Sequence, residues 1–310
     1  MANRDQHAEA PDAPVVVRDL SRRFGRKTAL AGVSLTVPRG IVFGLVGENG
    51  AGKTTLIKHL LGLLRAQIGE VRVFGMDPVA KPRQTLSRLG YLSEQRDLPE
   101  WMRVQALAEH CRAFYPGWDP AYAAELIALF ELDPAARIRT LSRGQRAKAG
   151  LMAALAHRPE LLLLDEPSSG LDPVVRRDIL SAVIRTVADE GRTVLFSSHL
   201  LDEVERVADT VAMIHHGKVL LCEPLDALKE RHRAVVVAFP TPLDAPPSID
   251  DVIAWQGSGR EWTALSNGRP DAFRAALTAA GGEVVSETTP TLEDIFVAHV
   301  QAGRTARKEG

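Results

Sequence analysis

The stretch Gly47-Glu48-Asn49-Gly50-Ala51-Gly52-Lys53-Thr54-Thr55 has the residue types and spacing to hold a polyphosphate. Gly47, Gly52, Lys53 and Thr54 stand in the fixed places of G-x-x-x-x-G-K-[ST]. Glycines there permit backbone conformations and close approaches that a Cβ forbids. Loop N–H groups and a helix N-terminus then point at the anion. Lys53 would contact the β- and γ-phosphates, and the Thr54 hydroxyl would sit on Mg²⁺. A second set of groups is Asp165-Glu166, at the end of an apolar run. The first carboxylate can hold Mg²⁺ directly or through water, and the next can orient and polarise an attacking water. Leu141-Ser142-Arg143-Gly144-Gln145 offers a further anion site at a helix start. A plain N-cap by Ser142 is compatible with that role. Ser168-Ser169-Gly170-Leu171-Asp172 reads by itself as an ordinary tight turn. His199, just after a strand, is a candidate γ-phosphate contact.

These groups need elements to carry them. Residues 41–46 form a short apolar run that reads as a buried strand, and residues 55–64 show helical spacing. Strand, glycine loop and helix is the geometry the phosphate pattern requires. Further strands are expected at 15–20, 33–37, 69–74 and 89–93, with residues 21–27 a polar turn carrying Phe24. From 104 to 157 the pattern is helical and alanine-rich, broken near Pro116-Gly117 and Asp133-Pro134. Strands at 161–166, 193–197 and 210–214 then alternate with helices at 173–190 and 200–207, which argues for an α/β core with a largely parallel sheet. His216-Gly217 suggests a hairpin turn.

Near Glu223-Pro224 the character changes. A short connecting helix at 225–231 leads to a strand at 234–239 and a loop marked by Pro240, Pro242, Pro246 and Pro247. Residues 252–255 and 261–265 could pair as strands across Gly257-Ser258-Gly259. A helix at 272–280, a strand at 283–286 and a helix at 292–300 complete a small α+β appendage. The expected organisation is a disordered lead-in at 1–14, a nucleotide-binding domain at 15–228 with a helical insertion over about 96–158, a C-terminal domain at 229–302 and a frayed tail at 303–310.

Composition sets outer bounds. A chain of 310 residues with 45% apolar and 25% charged residues can build a sizeable core. Its net charge of −1 provides no overall basic field for nucleic acid. Cys111 and Cys222 form no metal or redox spacing, so a reduced, cytosolic setting is the simple reading. The apolar runs are far too short to span a bilayer, so any membrane role must come through a partner.

Taken together and in order, the motifs resemble the ATP-binding subunit of an ABC transporter over roughly residues 15–228. Gly47 to Thr54 matches Walker A, 141–145 the signature loop, 161–166 Walker B with its catalytic glutamate, 169–172 the D-loop, and His199 the switch histidine. The resemblance implies an α/β, P-loop NTPase core of the ABC type, with an antiparallel β subdomain and a helical insertion. It implies ATP and Mg²⁺ as ligands, Glu166 as general base and His199 on the γ-phosphate. Thr54 and Asp165 support Mg²⁺, with Glu94 in the glutamine position of the family and Gln95 one place late. Asn49, Gly50, Ala51 and Thr55 complete the phosphate loop, and Phe24 stands where an aromatic stacks on adenine.

The family assembles as a head-to-tail pair. Ser142, Gly144, Gln145 and Asp172 would therefore serve a site shared with a second ATP-binding chain, a copy or a paralogue. Arg143 departs from the pattern by standing where the first of two glycines is usual. Thr289-Pro290-Thr291-Leu292-Glu293-Asp294-Ile295-Phe296 resembles the closing motif of bacterial exporter-type ATPases whose permease is a separate chain. The expected setting is thus cytoplasmic, peripheral on the inner face of the membrane, with a permease partner and no nucleic acid. A soluble ATPase of DNA repair or translation is the alternative, although such members usually carry two nucleotide domains or a long coiled coil. A nucleotide sensor without turnover is disfavoured by the intact Lys53, Asp165, Glu166 and His199.

Overall fold

A computed structural model describes residues 13–188, 191–268 and 270–305. Nearly all of the expected lead-in at 1–14 and the end of the tail, 306–310, lie outside the described residues. The chain divides into two compact units, at Cys222 and Glu223 instead of after Leu228.

The first unit begins with β1 (Val15–Phe24), β2 (Lys27–Val37), β3 (Val42–Val46) and α1 (Lys53–Leu60). Next come β4 (Ile68–Val73), α2 (Pro82–Leu86), β5 (Leu89–Leu92), α3 (Val104–Arg112), α4 (Pro120–Leu129) and α5 (Arg143–Leu155). It continues through β6 (Leu161–Asp165), α6 (Pro173–Ala188), β7 (Thr193–Ser198), α7 (Leu201–Val207), β8 (Thr210–His215) and β9 (Lys218–Pro224). β2, β1 and β4 form an antiparallel sheet. A six-stranded sheet runs β5-β6-β7-β3-β8-β9, with the β5/β6, β6/β7, β7/β3 and β3/β8 pairs parallel. β3, β6 and β7 are buried at every position, as expected of strands covered on both faces. Phe43, Leu45, Leu56, Ile57, Leu163 and Leu195 are among the fully buried residues of the cluster that holds both sheets and α1 together.

Register is what builds the site. Val46 stands opposite Ser198, and Asp165 opposite Ser197. The residues one step beyond three strands, Gly47, Glu166 and His199, therefore emerge along one edge of the sheet. This is the carboxyl edge, where ligands of parallel α/β sheets bind.

The second unit contains α8 (Leu225–Arg231), β10 (His232–Leu243), β11 (Val252–Asn267), α9 (Pro270–Ala279), β12 (Glu283–Thr288) and α10 (Leu292–Thr305). Its sheet order is β11-β10-β12, all antiparallel. Val235, Val237, Phe239, Trp262, Phe273 and Leu277 form its core. Thr291 and Asp294 exchange hydrogen bonds across the start of α10, while Leu292, Ile295 and Phe296 are buried. The closing motif is thus a reciprocal helix cap followed by core residues.

Several expectations needed revision. Residues 21–24 continue β1, and the turn shrinks to Gly25-Arg26 because Phe24 pairs with Lys27. The two strands expected to pair across Gly257-Ser258-Gly259 are one strand, β11, whose partner is β10. β10 also runs through Pro240 and Pro242. Its pairing with β12 ends at Ala238, and the register with β11 shifts between Ala238 and Leu243, so neither proline interrupts a regular ladder. The last helix reaches Thr305, and residues 303–305 are helical where a frayed tail was expected.

Candidate functional site

The phosphate loop is shaped by its neighbours. A Cβ on Gly47 would lie 2.2 Å from the Ile214 carbonyl oxygen, so only glycine allows β8 to pass so close. Gly52 has φ +117° and caps α1, and a Cβ there would lie 2.6 Å from the Ala29 carbonyl. Such a backbone strongly favours glycine. The loop opens on a cleft of about 410 Å³ lined by Phe24, Asn49, Gly50, Gly52, Lys53, Thr54, Thr55, Glu94 and Glu166, together with Lys27 and Ala29. Ala51 is buried beneath the loop. Phe24 is 45% exposed on one wall, its ring covered by the Arg22 guanidinium 4.7 Å from the ring centre.

Lys53 is almost completely buried. Its Nζ donates to the Gly47 carbonyl at 2.6 Å and to Glu48 at 3.3 Å, and lies 2.9 Å from Glu166 Oε1. The contact with Glu166 has ion-pair distance without hydrogen-bond alignment, since the donors aim at the carbonyls. The other Glu166 oxygen, Oε2, is 2.6 Å from His199 Nδ1. Glu166 itself has φ +49°, a left-handed backbone outside glycine. Its N–H is held by the Ser197 carbonyl at 3.1 Å.

Asp165 is the oxygen centre of the site. Its Oδ1 accepts from the Ser197 hydroxyl at 2.7 Å and from the Thr54 hydroxyl at 3.2 Å. Buried Asp165, the Thr54 hydroxyl and cleft-lining Glu94 are hard oxygen donors, the kind Mg²⁺ selects. Among the described residues no cluster of three or more His, Cys, Asp or Glu could cage a metal. An ion held there would take its remaining ligands from water and phosphate oxygens. Tyr91 reports the same charge field: burial first, then Asp165 and Glu94, push its phenol up to about 12. Of this segment, Glu94 lines the cleft and Gln95 does not.

Ser142, Gly144, Gln145 and Asp172 are not brought to this cleft. Ser142 and Gln145 instead complete a capping box on α5, with Ser142 N to Gln145 Oε1 at 3.0 Å and Gln145 N to Ser142 Oγ at 3.2 Å. Asp172 accepts from the N–H groups of Val174 and Val175 and so caps α6. A Cβ on Gly144 would collide with Val175, so the signature glycine packs helix against helix.

Comparison with known proteins agrees with this geometry. Residues 30–169 match the family model described as ABC transporter. The chain is 37% identical over 223 residues to the daunorubicin resistance ATP-binding protein DrrA3 of Streptomyces coeruleorubidus, covering 70% of each chain. The chain belongs to the ABC transporter ATP-binding family. It is 28% identical over 284 residues to the ABC transporter ATP-binding protein YtrB of Bacillus subtilis, covering 92% of this chain and 97% of that one. A solved ATP-binding subunit of an ABC transporter superposes with a TM-score of 0.64 at 28% identity, over 70% of this chain and 92% of the other. The protein is therefore an ATP-binding subunit of an ABC transporter, and an ATPase as members of that family are. No helix among the described residues is long and apolar enough to cross a membrane.

Sequence reasoning missed several residues around the site. Lys27 and Ala29 line the cleft but belong to no motif. Ser197 was read only as part of a strand. Arg96 is 8% exposed and donates through Nη2 to the carbonyls of Pro167 and Ser169, at 3.1 and 2.7 Å. The Ser168 hydroxyl donates to buried Glu203, whose carboxyl burial pushes up from its ordinary range. The one available signal was an arginine two residues after Glu94, which reads as surface charge unless its contacts are known.

Proposed function

We propose that this subunit powers export of a substrate through a separate integral-membrane permease, with ATP bound between two head-to-tail ATP-binding chains. The observation that carries this reading is a division of labour. Lys53, Thr54 and Glu166 line one cleft, with Asp165 bonded to Thr54 and His199 to Glu166, while Ser142, Gly144, Gln145 and Asp172 do not line it. A cleft closed on one side only by its own chain calls for a second chain's α5 N-terminus. Relatives named for daunorubicin resistance, bacitracin transport and Nod factor export support the export direction. The setting that follows is peripheral, on the cytoplasmic face of the membrane.

The residues divide the reaction as follows. Lys53 and the loop N–H groups take the phosphates, and Phe24 takes the base. Thr54, Asp165 and Glu94 would hold Mg²⁺, which neutralises charge on the β- and γ-phosphates when bound. Glu166 accepts a proton from water as the water oxygen attacks the γ-phosphorus. The bond to the β–γ bridging oxygen breaks, and ADP and phosphate leave. His199 steadies Glu166 and the γ-phosphate.

The test is to ask whether a polytopic membrane protein is encoded beside this subunit's gene and, with that protein, to co-express the two. Co-purification, ATP-driven flux in vesicles and an ATP-trapped dimer of Glu166→Gln are expected. Co-purification with ribosomes or nucleic acid, and not with the membrane protein, would overturn this reading in favour of the soluble alternative.

A further inference from the structure

The turn that carries Glu166 has two visible anchors. Upstream, Ser197 binds the Glu166 N–H through its carbonyl at 3.1 Å and its hydroxyl at 3.2 Å. Downstream, the turn is closed by Ser169 N to Glu166 O at 3.2 Å. The carbonyls of Pro167 and Ser169 both accept from one nitrogen of Arg96. Arg96 is itself fixed. Its backbone is left-handed at φ +52°, and its N–H binds the Ser93 carbonyl and hydroxyl, each at 3.1 Å. Left-handed backbone outside glycine persists only where surroundings over-determine it. Here two such residues, Glu166 and Arg96, are joined through a single buried guanidinium. That guanidinium does not line the nucleotide cleft.

We infer that Arg96 is a positioning residue for Glu166. It spans two carbonyls of the turn and so sets where the Glu166 carboxylate stands, without touching ATP. Nη2 offers one N–H to each carbonyl from a rigid planar guanidinium, whereas a lysine ammonium on a flexible stem lacks that preorganisation. The inference rests on the reading of Glu166 as general base. Its signature is a loss in turnover without a loss in nucleotide binding.

The test compares Arg96→Met and Arg96→Lys in the full chain. Steady-state phosphate release gives kcat and KM, and a fluorescent ATP analogue gives affinity. Displacement of the base by about 1 Å lowers kcat about 10²-fold. KM and affinity should hold within about twofold, and Arg96→Lys should fall between Arg96→Met and the parent. In a Glu166→Gln background, single-turnover hydrolysis should show no further loss from Arg96→Met, because the group it positions is gone. Unchanged kcat, or equal losses in both backgrounds, would overturn the assignment. So would affinity lost in step with kcat. If Arg96→Met does not fold, Arg96→Lys decides by the same split. If Glu166→Gln alone hydrolyses at the parental rate, the general-base reading has failed first, and the Arg96 assignment falls with it.

Discussion

Glu166→Gln keeps the shape of the side chain and removes its charge, and the structure predicts two separable effects. The first is catalytic. Loss of a general base lowers hydrolysis by about 10²–10⁴-fold. The second concerns stability, since Lys53 Nζ lies 2.9 Å from Glu166 Oε1 with both side chains buried. Removing one partner of a buried pair costs about 3–5 kcal/mol when the other charge is left alone. Lys53 is not left alone, because it keeps the carbonyls of Gly47 and Glu48. The loss should therefore be nearer about 2 kcal/mol, below the cost of leaving a buried charge unpaired. In a unit of this size that lowers the melting temperature by roughly 4–8 °C. A triphosphate supplies Lys53 with new anionic partners, so the deficit should close when ATP and Mg²⁺ are added. Thermal melts with and without nucleotide, beside a phosphate-release assay, read both effects. Equal melting of the two nucleotide-free proteins would refute the ion pair. Parental hydrolysis would refute the base assignment.

Other consequences are as direct. Phe24→Ala should raise the dissociation constant for ATP about tenfold, a base–aromatic stack being worth about 1–3 kcal/mol, and leave kcat unchanged; equal affinity in a nucleotide titration would remove Phe24 from the site. Asp165→Asn should raise the Mg²⁺ concentration for half-maximal hydrolysis about 10–100-fold, and an unchanged Mg²⁺ titration would contradict its placement beside Thr54. In the second unit, burial pushes the fully buried His232 imidazole down from 6.5 to about 4. The unfolded chain thus takes up a proton that the folded unit refuses. Stability from neutral His232 is full above about pH 6.5 and is lost as pH falls toward 4, by up to about 3 kcal/mol. Amide exchange of β10, corrected for intrinsic rate, should show this slope, and His232→Gln should flatten it.

The parts legible in the sequence were those in which one residue type is imposed by one local geometry. Gly47 and Gly52 admit no side chain, β3 and β6 are largely apolar runs, and the chemical residues stand at or one step beyond the ends of β3, β6 and β7. What escaped depends on contacts between distant segments. Arg22 and Arg23 look like a turn, yet they pair with Leu30 and Thr28 in an antiparallel ladder, beyond Ser21 where the pairing of β1 with β4 stops. Gly257 and Gly259 look like a hairpin, yet β10 supplies a partner for the following residues and the strand runs on. Arg96 looks like surface charge, although its acceptors lie 71 and 73 residues away. No local pattern encodes a pairing of that kind.

The contacts of Glu166 also bear on the order of events. Glu166 has a cation at Oε1 and an imidazole at Oε2, and Lys53 has two carbonyls and a carboxylate. Both groups are buried, so neither could stand alone without a large desolvation cost. On the roles proposed above, phosphate oxygens entering the cleft would compete for Lys53 and leave Oε1 without its cation, while His199 would still hold Oε2. The displacement that seats the phosphate would then also expose one carboxylate oxygen to water, with the carboxylate oriented by His199. On the proposed roles, substrate binding arms the base, and water meets a free carboxylate only when a γ-phosphate is there to be attacked.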